Sequence, residues 1–102
     1  MMTEKQLQTQ LIRFLNEHKI YYVKTVVCSR AGVPDILSCV NGHFIAIECK
    51  TENGRESPLQ KYNGEQIKRS GGRYFIVRPS NYEKIIEEIM AIKSMSYDNN
   101  CI

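Results

Sequence analysis

Gly32-Val33-Pro34-Asp35-Ile36-Leu37-Ser38-Cys39-Val40-Asn41-Gly42-His43-Phe44-Ile45-Ala46-Ile47-Glu48-Cys49-Lys50 reads as two strands joined by a tight hairpin. Asn41-Gly42 supplies two residues that tolerate positive φ, the requirement of a two-residue type I′ turn. The strands then run from Asp35 to Val40 and from His43 to Lys50. Counting back from the turn, Val40 opposes His43, and Asp35 falls opposite Glu48. Side chains alternate across a strand, so Phe44, Ala46, Glu48 and Lys50 share one face. Ile45, Ile47 and Cys49 take the other, where they enter the core.

An acid and a base two residues apart on one strand face make, by themselves, an ordinary ion pair. Asp35 changes that reading, because two carboxylates opposed across a hairpin repel and destabilise the sheet. A bound cation explains such a pair. Oxygen ligands with no histidine partner and no zinc-type cysteine spacing point to Mg²⁺ or Mn²⁺. Lys50 is then placed to orient a water or to offset charge developing on a phosphate. Two carboxylates, a lysine and a divalent ion suffice for metal-assisted phosphodiester hydrolysis.

Outward from the hairpin, Thr3 and Gln6 form a capping box. Leu7, Leu11, Phe14 and Leu15 follow at helical spacing, predicting a helix over Glu4 to Glu17. Tyr21 to Val27 is β-branched and aromatic and reads as a strand, with a loop from Cys28 to Pro34. Beyond Lys50, Thr51 to Glu56 is a polar loop. Ser57-Pro58 with Gln60 starts a second helix, stopped near Ser70 by Gly71-Gly72. Arg73 to Val77 is a fourth strand, and Ser80 with Glu83 caps a last helix carrying Ile85, Ile86, Ile89 and Met90. The tail from Ser94 has no periodicity and is expected to fray. A helix between the third and fourth strands suits a parallel crossover. The expected order is α-β-β-β-α-β-α, a mixed sheet flanked by helices.

A chain of 102 residues has room for one domain, expected over residues 1–102. Hydrophobic residues at 42% and charged residues at 25% suit a globular protein. No apolar run approaches the roughly 18 residues of a membrane span. No apolar stretch follows Lys5 as in a signal peptide, so a cytoplasmic location is expected. The net charge of +3 permits a nucleic-acid partner without requiring one. Cys28, Cys39, Cys49 and Cys101 lack CxxC spacing, so neither a zinc knuckle nor a thioredoxin-like motif is suggested. They are expected to be reduced and mostly buried.

Pro34-Asp35 followed by Glu48-Cys49-Lys50 resembles the PD-(D/E)xK nuclease signature. The wider string of Gly32-Val33-Pro34-Asp35, Gly42, Ile47-Glu48-Cys49-Lys50, Gly54, Ser57-Pro58-Leu59-Gln60 and Gly71-Gly72 resembles the VRR-NUC branch of that superfamily. The resemblance implies a restriction-endonuclease-like α/β fold and metal-dependent cleavage of DNA. Its metal ligands fall on Asp35, Glu48 and the Cys49 backbone carbonyl, and its lysine on Lys50. A first-helix acid falls on Glu4, which otherwise serves as a first-turn acid favouring the helix dipole. A glutamine falls on Gln60, which the capping box also explains.

Arg30, Arg55 and Lys61 flank the expected site and are candidate phosphate contacts. His18 and His43 lack the partners that ligation would need. Stand-alone members of the resembled family, of phage and bacterial type, act as dimers on branched DNA, similar to Holliday-junction resolvases. A homodimer is therefore expected, meeting through the last helix (Tyr82, Ile86, Ile89, Ile92) or through Tyr21-Tyr22. A restriction-like or exonucleolytic enzyme working with a partner is the alternative within enzymes. A non-catalytic DNA-binding relic of the fold is the alternative outside them.

Overall fold

The computed structural model describes residues 2–95, so most of the expected fraying tail, with Cys101, lies outside the described residues. Helix α1 spans Glu4–Glu17, and strands β1, β2 and β3 span Tyr21–Lys24, Ile36–Val40 and His43–Cys49. Helix α2 (Pro58–Arg69), β4 (Arg73–Val77) and α3 (Tyr82–Lys93) follow, α3 being preceded by a single 3₁₀ turn at Pro79–Asn81. The sheet order is β1-β2-β3-β4, antiparallel except for the parallel β3–β4 pair. This is the α-β-β-β-α-β-α mixed sheet that the sequence implies. No helix among the described residues is long and apolar enough to cross a membrane.

The hairpin fixes everything near it. Asn41 and Gly42 have φ of 51° and 82°, as a type I′ turn demands. Val40 pairs with His43 and Ile36 with Ile47. The Asn41 side chain also donates to the carbonyls of Ile92 and Met95, tying the turn to the end of α3.

Alternation then divides the sheet. Ile36 and Val40 of β2, with Ile45, Ile47 and Cys49 of β3, are buried against Leu7, Leu11 and Leu15 of α1 and Ile85, Ile89 and Ile92 of α3. Each such aliphatic side chain removed from water contributes about 1.5–3 kcal/mol. The opposite face carries Phe44, Ala46 and Glu48, and there α2 packs over β4. Gly64 of α2 comes so close to the Tyr74 ring that a Cβ would stand 2.6 Å from it.

Several expectations are corrected. Strand β1 ends at Lys24, not Val27. Thr25 makes the last bond of this pairing, donating its N–H to Asp35 at 2.9 Å. Pro34 comes next on the partner strand and has no N–H to continue the ladder. Ser80 does not cap α3. Its N–H donates to Glu52, and the helix starts after Asn81, whose side chain accepts from Arg78 and donates to Ile76. Among the described residues Cys28 and Cys39 are exposed and Cys49 is buried: Cys28 lies in the loop between β1 and β2, and Cys39 sits on the sheet face that α2 covers over β4. Of the two apolar surfaces expected to meet a partner, α3 lies in the core through Tyr82, Ile89 and Ile92, with Ile86 packed against it. Tyr21, by contrast, is 73% exposed.

Candidate active site

Asp35 stands one residue before β2 and continues its register, so it faces Glu48. Two hydrogen bonds lock the pair across the strands. The Asp35 N–H donates to Glu48 Oε1 at 3.3 Å, and the Cys49 N–H donates to Asp35 Oδ2 at 2.9 Å. Glu48 is 2% exposed, unusual for a carboxylate. Its other oxygen accepts from the Gln60 side-chain amide at 2.9 Å and lies 3.5 Å from Lys50 Nζ.

Gln60 serves two purposes at once. Its Oε1 accepts from the Ser57 N–H to complete the capping box at the start of α2, while its Nε2 holds Glu48. The local helix signal and the site thus share one side chain. Lys50 is 9% exposed and continues the parallel pairing by donating its N–H to Val77 at 2.9 Å.

The electrostatics follow from crowding. Burial, and then repulsion from Asp35, push the Glu48 carboxyl up from 4.5 to about 7, against the opposing pull of Lys50 and the hydrogen bonds. Burial also pushes the Cys49 thiol up to about 12, so it stays protonated and packs as a small hydrophobe.

Among the described residues no group of three or more His, Cys, Asp and Glu forms a cage able to hold a metal ion. Glu4 lies exposed on the first turn of α1, close enough to Cys49 for its charge to join those of Asp35 and Glu48 in raising that thiol. Arg30, Arg55 and Lys61 are exposed. Arg30 sits in the loop leading to Asp35, Arg55 in the loop after Lys50, and Lys61 beside Gln60. Each is carried by a segment that also carries a site residue.

Three supporting residues had no role in the sequence reading. The Arg78 Nη1 donates to the carbonyls of Thr51 and Gly54 at 2.7 Å and of Glu52 at 3.3 Å, pinning the turn that follows Lys50. Thr25 Oγ1 donates to the carbonyl of Pro34 at 2.8 Å and lies 3.1 Å from that of Asp35. Asn63, 6% exposed, donates to Ala31 and Leu59. Val77 pairs with Cys49, so only the β3–β4 register reveals that Arg78 follows beside Lys50. Thr25 and Asn63 carry no sequence signal beyond a polar residue next to an apolar run.

No family model matches the sequence, and no curated protein matches it either. Among solved structures the chain is similar to a protein described as "VRR_NUC domain protein", with a TM-score of 0.75 and 19% identity. The similarity covers 89% of this chain and 90% of that one. The likeness is one of fold over nearly the whole length, and the chain has the α/β fold of a VRR_NUC domain protein.

Proposed function

We propose that the protein is a Mg²⁺- or Mn²⁺-dependent endonuclease that hydrolyses phosphodiester bonds of DNA, selecting branched structures. The carrying observation is the opposed Asp35–Glu48 pair, with a buried carboxyl held near neutrality and Lys50 at 3.5 Å. Such a pair without a cation is destabilising. Mg²⁺ is commonly held by one or two carboxylates, with waters and substrate phosphates filling the remaining positions. A site with two carboxylates and no wider cage fits that habit. Asp35, Glu48 and the Cys49 carbonyl would hold the ion, which supplies Lewis-acid polarisation of the scissile phosphate and a more acidic water.

The chain's own residues do the rest. Gln60 and the Asp35 N–H fix both oxygens of Glu48, so the acceptor positions are set before substrate arrives. Lys50, largely withdrawn from solvent, offsets negative charge as it grows on the phosphate. The water gives up a proton to solvent as its oxygen bonds to phosphorus, the bond to the departing sugar oxygen breaks, and that oxygen takes up a proton from solvent. Arg30, Arg55 and Lys61 contact flanking phosphates, which position the duplex without reading its sequence.

Nicking both strands of a branched substrate symmetrically calls for two centres, and two-fold dimers are the commonest soluble oligomers. The protein acts as a homodimer in this reading, and sedimentation equilibrium at micromolar concentration tests it. The activity is tested on single-stranded, duplex, flap and four-way-junction DNAs with Mg²⁺, Mn²⁺ or chelator. Metal-dependent cleavage strongest on the junction is expected. Cleavage that persists in chelator, or no cleavage of any substrate, overturns the proposal.

A further inference from the structure

The segment from Thr25 to Pro34 leaves the sheet beside Glu48's partner and returns to it within ten residues. Its ends are joined by Thr25, whose N–H and hydroxyl donate to the carbonyls of Asp35 and Pro34. Its returning limb is gripped by α2. The buried Asn63 amide donates to Ala31 at 3.0 Å. Gly32, with φ of +81°, lies so close to Leu59 that a Cβ would stand 2.6 Å from that residue's backbone. A compact surface loop with joined ends is a recurrent functional device.

Between these anchors the chain does the opposite of what folding favours. Val26 is 85% exposed and Val27 is 91% exposed. Single exposed apolar residues are commonplace, but two adjacent ones on a fixed loop beside the site present a small apolar tip to whatever occupies that site. From Tyr21 to Pro34 the charged residues are Lys24 and Arg30, with no acid among them. A second copy docking tip to tip would set these cations against their own counterparts. A polyanion satisfies both features.

We infer that the Thr25–Pro34 loop is a wedge that reads branched DNA. Val26 and Val27 insert between bases at the branch and unstack them, and Arg30 contacts the adjoining phosphate. Apolar wedges of this kind insert between base steps and partly unstack them, at least cost where pairing is already interrupted. Because the loop is anchored on Asp35 and on α2, the wedge keeps a set distance from the scissile phosphate and needs no ordering on binding. The inference rests on the DNA-cleaving reading above and names the element that supplies its structure selectivity.

The test compares the full-length wild type with a Val26→Ser/Val27→Ser variant and a Val26→Ile/Val27→Ile variant. One readout is the ratio of junction to plain-duplex cleavage rates in Mg²⁺. Another is the fluorescence of 2-aminopurine placed at the branch point, with Ca²⁺ replacing Mg²⁺. The serine variant is expected to keep its melting temperature, lose about tenfold of the junction preference and fail to raise the fluorescence. The isoleucine variant is expected to retain both. A serine variant that keeps the wild-type ratio overturns the inference while leaving the nuclease reading intact. So does an isoleucine variant that loses it, or a serine variant that converts a dimer to monomer in sedimentation. A wild type that cuts no DNA removes both readings together.

Discussion

Replacing Glu48 with glutamine should change how the metal-free protein's stability depends on pH. Folding carries the Glu48 carboxyl from 4.5 to about 7, chiefly by burial and then by repulsion from Asp35. The folded state therefore binds this proton more tightly than the unfolded chain does. Stability from this group is fully present below 4.5 and is lost as pH rises through about 7. Each pH unit of difference corresponds to about 1.4 kcal/mol, so the loss is on the order of 3 kcal/mol. For a domain near 100 residues that is of order 15 °C in melting temperature.

Glu48→Gln has no proton to lose there, so its profile between pH 5 and 8 should lack this fall. Its height will also differ. One amide hydrogen must face a donor, either Gln60 or the Asp35 N–H, and Lys50 loses its ionic partner, so the shape of the two profiles is what decides. Differential scanning calorimetry in chelator supplies both curves. Adding Mn²⁺ at pH 8 to a hundred times its dissociation constant should return about 2.7 kcal/mol to the wild type and little to the variant. If Glu48→Gln falls with the wild-type slope, the buried carboxyl is not the titrating group. If Mn²⁺ stabilises both proteins equally, Glu48 is not a ligand.

Lys50→Ala should keep Mn²⁺ binding by calorimetry while cleavage slows by about 10²–10³; loss of binding would make the lysine a structural part of the site. Asp35→Ala should abolish cleavage with an unchanged circular dichroism spectrum, and wild-type turnover would displace it from the metal site. Gly64→Ala should destabilise the fold, because overpacking costs about 1–3 kcal/mol. The Tyr74 ring that a Cβ meets cannot readily swing away, being held by its hydroxyl on Glu56 at 2.7 Å, and better helix propensity offsets only about 1 kcal/mol. Urea titration measures the balance. Arg78→Ala should free the Thr51–Gly54 turn, seen as faster hydrogen exchange at the Gly54 amide and a lower cleavage rate with Mn²⁺ affinity retained.

The hairpin and the juxtaposition of Asp35, Glu48 and Lys50 were legible in the amino acids because every interaction that fixes them is local. Asn41-Gly42 accepts positive φ, the two-residue turn sets the register, and period-two alternation puts Asp35 opposite Glu48 with Lys50 on the same face. The capping boxes at Thr3 and Ser57 are equally local, each closing over three residues, and both form as their spacing implies. What joins distant segments was decided only by the tertiary structure. The premature end of β1 depends on Pro34 arriving opposite it. Exposure of Cys39 depends on α2 covering its face over β4. The resemblance already put Gln60 in the site, but its hold on Glu48 depends on α2 crossing over that residue, and the work of Arg78 depends on β4 lying parallel beside β3. Residues so far apart in the chain meet only after several elements have packed, and one-dimensional spacing carries no record of which of them will touch.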